Sequence, residues 1–157
     1  MLSKTLRRTD RALSEEDTRK VLARCQWGTL SYADDEGTLH SIPISYAVAG
    51  DNLYFHGGKA GTKWETLQKP RAATFVVATD VKADPEEFTT AFESVVLSGT
   101  VELVSSEDER RTGFFAVLEK YCSTVAPEKC EGYFREGSPY AGLWRLHIEC
   151  MTGKRHE

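Results

Sequence analysis

Leu39-His40-Ser41-Ile42-Pro43-Ile44-Ser45-Tyr46-Ala47-Val48 is followed by the turn Ala49-Gly50-Asp51-Asn52 and the run Leu53-Tyr54-Phe55-His56. β-Branched and aromatic residues fill both runs, and the Gly-Asp-Asn cluster between them permits a tight reversal, so the pair reads as a hairpin. Pro43 has no N–H to give to a ladder, which places its strand at a sheet edge or at a bulge. Either position suits a ligand.

Upstream, Gly28-Thr29-Leu30-Ser31-Tyr32 and a turn at Asp34-Asp35-Glu36-Gly37 add one more strand to this hairpin. Before them, Ser14 followed by Glu15-Glu16-Asp17 reads as a helix N-cap with acidic residues in the first turn. Val21, Leu22 and Cys25 supply its apolar stripe. Residues 1–12 are polar and basic and read as an N-terminal arm that orders only by docking.

Downstream, Gly57 to Gly61 breaks the strand, and Thr62 to Gln68 has helical spacing until Pro70. A strand is expected over 72–79, an acidic loop over 80–87 and a long β segment over 89–104. The helix over 107–121 is capped by Ser105 or Ser106 and carries Phe114, Phe115, Val117, Leu118 and Tyr121 on its apolar side. A loop or short helical piece holding Cys130 and Tyr133 leads to a last strand over 140–151. Hairpins dominate this order, which favours a mainly β antiparallel barrel with flanking helices, in one domain spanning residues 1–157, over a parallel doubly wound sheet.

The composition narrows the function. With 157 residues, 40% hydrophobic, 28% charged and a formal net charge of -4, the chain is an ordinary globular sequence with an acidic balance, which argues against nucleic-acid partners. No apolar run approaches the ~20 residues needed to cross a bilayer, and charges stand where a signal peptide has its apolar core, so no membrane partner and a cytoplasmic location are expected. Cys25, Cys122, Cys130 and Cys150 form no C-x-x-C pair. They read as reduced thiols, with Cys25 and Cys150 in the core, and no metal site is expected.

The glycine-rich break Gly57-Gly58-Lys59-Ala60-Gly61 followed by Thr62 and Lys63 offers free backbone N–H groups, a hydroxyl and an ammonium, a set suited to one phosphate monoester. It lacks the spacing of a P-loop or of G-x-G-x-x-G. On residue chemistry alone it is equally a strand-to-helix turn with Lys63 solvated.

In order and at suitable separations, several runs resemble the nitroimidazole-reductase type of FMN-binding split barrel, within the pyridoxamine 5'-phosphate oxidase-like flavoproteins. They are Trp27-Gly28-Thr29-Leu30, Ile42-Pro43-Ile44-Ser45, Tyr54-Phe55-His56-Gly57, Gly61-Thr62-Lys63, Phe88 to Val96, Gly99 and Thr152-Gly153-Lys154. The resemblance covers about residues 7 to 155. It implies a Greek-key split barrel that works as a homodimer, with FMN held between subunits. The strand Ile42, Pro43, Ile44, Ser45 would lie along the isoalloxazine, Gly57 beside the cofactor, Thr62 and Lys63 on the ribityl phosphate, and Ser94 on the flavin. His56 reads as a cofactor contact, a proton donor or a plain strand-end residue. Glu93 either faces the cleft or pairs with an Arg across the dimer. Trp27, Trp64 and Trp144 are expected in core and subunit packing. A single Lys, with Ser94-Val95-Val96 in place of a more basic strand, makes vitamin B6 oxidation doubtful.

The implied activity is FMN-dependent reduction of a small aromatic or nitro-heteroaromatic substrate. Its rivals are a non-enzymatic flavin or haem binder, with His56 or His147 as axial ligand, and an interaction domain with an empty cleft.

Overall fold

A computed structural model describes residues 6–157; residues 1–5, part of the expected N-terminal arm, lie outside the described residues. Alternating apolar residues build seven strands: β1 (Trp27–Ala33), β2 (Leu39–Ser45), β3 (Ala47–Ala49), β4 (Asn52–Gly58), β5 (Arg71–Asp84), β6 (Thr89–Leu103) and β7 (Ala141–His156). Helices α1 (Glu15–Arg24), α2 (Thr62–Thr66), α3 (Glu107–Tyr121) and α4 (Pro127–Gly137) flank them. The strands form one antiparallel sheet in the order β2-β1-β5-β6-β7-β4-β3.

That order contains the constraint that makes it a barrel. The two edge strands, β2 and β3, are consecutive in the chain and joined by Tyr46 alone, so the edges of the sheet must meet and the sheet curls. The sequence pattern runs through Leu39 to Val48 as one strand, but the chain changes partners at Tyr46: residues up to Ser45 pair with β1, and Ala47 onward with β4. Pro43 lies on an edge strand as expected, in continuous register opposite Thr29 and without a bulge. The structure is an antiparallel split barrel.

Tyr46 is fully buried at this corner, and its own N–H and C=O lie outside both ladders. The hydroxyl of Tyr121, the last residue of α3, accepts from the Tyr46 N–H at 3.0 Å and lies 2.9 Å from the Tyr46 carbonyl and also beside the Gln26 carbonyl, one of which takes its proton. Lys120 donates to the Cys25 carbonyl at 2.6 Å and sits 3.9 Å above the Tyr46 ring, and this desolvated position pushes its ammonium down to about 8.

Two cores result. Leu30, Phe55, Phe75, Leu97 and Trp144 fill the barrel, while Tyr54, Phe114, Phe134 and Leu143 pack the outside of β4 and β7 against α3 and α4. Several expectations need correction. The acidic loop over 80–87 is largely strand: β5 passes a bulge between Thr79 and Lys82, with Asp80 in the left-handed region, and turns only after Asp84. The last strand continues to His156, and Cys130 and Tyr133 lie on the full helix α4. Cys150 is half-buried rather than core; Trp27 lies outside the core of its own chain, 64% exposed. Ser106 is the cap of α3, while α2 is little more than one turn. No helix among the described residues is long and apolar enough to cross a membrane.

Tyr121→Phe removes the group that satisfies the corner backbone while keeping its ring. It should lower unfolding free energy by about 1–3 kcal/mol, the cost of leaving buried polar groups unpaired, with an unchanged m-value in urea titrations.

Candidate functional site

The split has two sides and an apex. Continuing the β3·β4 register past Ala47↔Tyr54 would place Ser45 opposite His56, but there the strands part. Beyond that point, among the described residues, β2 pairs only with β1, and Phe55 to Gly58 pair only with β7, leaving two strand edges on either side of a cleft with N–H and C=O groups outside any described ladder. Unpaired main-chain groups of this kind are hydrogen-bonding sites awaiting a partner.

Along β2, alternation sends Ile42 and Ile44 into the barrel and leaves Pro43 and Ser45 exposed. The two isoleucines thus offer a ligand only their backbone. At the end of β4, the absent side chain of Gly57 makes room for Lys63: a Cβ there would collide with its Nζ and lie 2.8 Å from its Cε. Lys63 is half-buried, 5.3 Å above the ring of Trp144, whose indole N–H donates to the Leu67 carbonyl at 3.0 Å. Burial lowers the pKa of its ammonium, and no carboxylate pairs with it among the described residues. Thr62 opens α2 with an exposed side chain. A five-residue helix contributes little dipole, so the anion-binding capacity of this corner comes from Lys63 and loop N–H groups.

His56 stands on the helix side of β4, in line with Tyr54, its ring 5.6 Å from that of Phe114. Burial and the Lys63 charge hold its pKa below the usual histidine value, and no hydrogen-bond partner acts on it among the described residues. A neutral imidazole with free nitrogens can both accept and donate.

Within one chain the structure brings Ser45 to His56 and Gly57 to Lys63. Ser94 does not join them. It lies on the outer face of β6 opposite Lys154, whereas His56 is opposite Leu143, near the other end of the sixteen-residue β7. Glu93 faces inward, is nearly fully buried, and is held by Arg155 at 2.6 Å and by Arg24 within the same chain. Burial opposes its charge, but the hydrogen bonds and charges of both guanidiniums outweigh that and hold the carboxyl below the usual glutamate range. The expected cleft-facing or cross-dimer role of Glu93 gives way to this intrachain pair. His147 is exposed on β7 and bonded to Asn52. Among the described residues no group of three His, Cys, Asp or Glu side chains is placed to hold a metal ion.

The sequence reading missed the cavity behind the apex, about 440 Å³, where Ser45 and His56 meet α3 and α4. Its signal was the width of the apolar arc on α3. Phe114, Val117, Leu118 and Tyr121 form one stripe, and Phe115 lies beside it, more than one neighbour can cover.

A family model described as Pyridoxamine 5'-phosphate oxidase matches residues 14–155, nearly the whole barrel. The chain belongs to this family. Solved structures agree on the fold. A candidate 5-nitroimidazole antibiotic resistance protein of Bacteroides thetaiotaomicron is 20% identical over 91% of this chain and 85% of its own, with a TM-score of 0.75. A conserved hypothetical protein of Mycobacterium tuberculosis is 19% identical over 98% of this chain and 91% of its own, at 0.81. The FAD and heme binding protein of Mycobacterium smegmatis is 19% identical over 92% and 72%, at 0.71. No curated protein matches the chain. Within the family's fold, the cleft at Ser45 and His56 is where this chain's own sheet leaves backbone unpaired.

The lowered His56 pKa makes a signed prediction. Between its folded pKa and about 6.5 the unfolded chain binds the extra proton, so this contribution to stability is complete above about 6.5 and is lost as pH falls. In urea unfolding, His56→Gln should lose less stability than the parent between about pH 7 and about pH 5, and the His56 ring protons should titrate below about 6.5 by NMR.

Proposed function

We propose that the chain binds FMN in the cleft between the free edges of β2 and β4 and, as a homodimer, uses it to reduce a small aromatic or nitro-heteroaromatic molecule. The observation that carries this reading is Lys63, a half-buried ammonium with no carboxylate partner among the described residues, placed against Gly57 at the end of β4 where that strand leaves β3. A phosphate monoester would restore the charge balance that burial disturbs. The backbone of Ile42 to Ser45 suits the polar rim of a planar heterocycle, since a free strand edge recognises a ligand through main-chain hydrogen bonds. Membership of the family and the likeness to the FAD and heme binding protein of Mycobacterium smegmatis support a flavin. The likeness to the Bacteroides 5-nitroimidazole resistance protein supports a nitro-heteroaromatic substrate.

Bound FMN would supply hydride or electron transfer. The chain's own groups bind and orient: Lys63 and the Gly57 to Thr62 loop hold the phosphate, β2 aligns the ring edge, and His56 holds a proton at a ring nitrogen facing the cavity. A second copy of the chain completes the site in this reading. Ser94 is out of reach of Lys63 within one subunit, and the sheet leaves Trp27, Val76 and Val96 exposed as material for a subunit contact.

Titration of the purified protein with FMN, followed by flavin absorbance, tests this. Lys63→Ala should raise the dissociation constant tenfold or more, the loss of a charge-assisted contact of about 1.5–3 kcal/mol, with Lys63→Arg retaining part of the affinity. Unchanged affinity in Lys63→Ala would remove the phosphate assignment. A Soret band in place of flavin bands would favour the haem-binding alternative with His56 as ligand.

A further inference from the structure

From the cavity behind His56 we infer a second binding compartment, walled by α3 and α4, that takes a compact, uncharged aromatic molecule with a single polar edge turned toward His56. The inference deepens the flavin-dependent reading, on which the compartment's role as a substrate pocket rests, and its geometry stands apart from the phosphate cradle.

The walls are Phe114, Val117 and Leu118 on α3, Val125 in the connection, and Cys130 and Tyr133 on α4. At about 440 Å³ the space is within the range of small-molecule sites and large enough for a bicyclic ring system. α4 is anchored by one buried residue, Phe134, which packs edge-on to Phe114 at 5.9 Å and tilted to Phe115 at 5.6 Å. The helix faces the cavity with Cys130 and Tyr133 instead of filling it. Tyr121, whose hydroxyl is fixed at the Tyr46 corner, lines the inner end beside Ser45. The space is a cleft open to solvent on the side of Tyr133 and Lys129, and apolar walls with one convergent polar group are the usual make-up of a small-molecule site.

Two features set the ligand's chemistry. No carboxylate lines the space, and the charged groups at its borders are the cations Lys129 and, beyond His56, Lys63, so a cationic ligand gains no partner and meets like charge. His56 presents nitrogens with no protein partner among the described residues, which a hydroxyl, nitro or ring-nitrogen edge would satisfy. The described end of the N-terminal segment cannot fill the space from its own position. Leu6 borders cavities against β6 and β7, in company with Ser94 and Thr152.

The test is isothermal titration calorimetry of the full chain, freed of flavin, with 1-naphthol and with 1-naphthylmethylammonium. The expected result is saturable 1:1 binding of 1-naphthol, at least tenfold weaker binding of the cation, and at least tenfold weakening of 1-naphthol in Cys130→Trp, which fills the space. Glu128→Trp, on the same helix but outside the lining, should bind within about twofold of the parent. Circular dichroism and FMN titration of each variant separate loss of the pocket from loss of the fold or of the cradle. Absence of saturable binding, equal binding of the cation, or a folded Cys130→Trp that binds 1-naphthol as well as the parent would overturn the inference. Failure of FMN binding with 1-naphthol binding intact would remove the flavin reading and leave the compartment standing.

Discussion

A single buried residue, Tyr46, joins the two edge strands of the sheet, and the rest of the structure follows from that connection. An open seven-stranded sheet twists, but nothing in twist alone brings its first and last strands together. A one-residue link does. It leaves its own N–H and C=O with no ladder partner, and the chain meets this by sending the end of α3 across the corner, where the Tyr121 hydroxyl accepts from the N–H and lies against the carbonyl, and Lys120 covers the ring. The position of α3, the parting of β2 from β4 and the space behind His56 are consequences of one geometric requirement.

The same requirement separates structural from available polar groups. Glu93 is as buried as core residues, but two guanidiniums hold it, and its role is complete within the chain. Lys63 is desolvated against Trp144 with no carboxylate among the described residues to answer it. Burying an unpaired charge is costly, and proteins that retain one generally use it. The contrast supports the proposed phosphate site at the Gly57 to Lys63 turn more than the glycines alone, which a plain turn would explain equally well.

Much of this was legible from the residues. Ser14 caps α1, Ser106 was one of two candidates to cap α3, and the hairpin turns at Asp34 to Gly37 and Ala49 to Asn52 carry their own turn chemistry. Pro43 marked the edge strand. The partner change at Tyr46 was not legible, because alternation through Ser45, Tyr46 and Ala47 looks like uninterrupted strand and register depends on which neighbour is present. The bulged arm of β5 was read as a loop because its charges are exposed on both faces of a two-stranded ribbon. Ser94 was placed at the site by position in a family pattern, and within one chain it lies near the opposite end of β7 from His56.

Amide hydrogen exchange of the β2 and β4 edges, with and without FMN, tests most directly whether the split is the cofactor cleft. In the free protein, the cleft-facing amides among Ile42 to Ser45 and Phe55 to Gly58 have no strand partner and should exchange rapidly, and saturating FMN should slow them while leaving the outer strands of the barrel unchanged. Protection confined to other regions of the sheet, or none at saturation, would contradict the account.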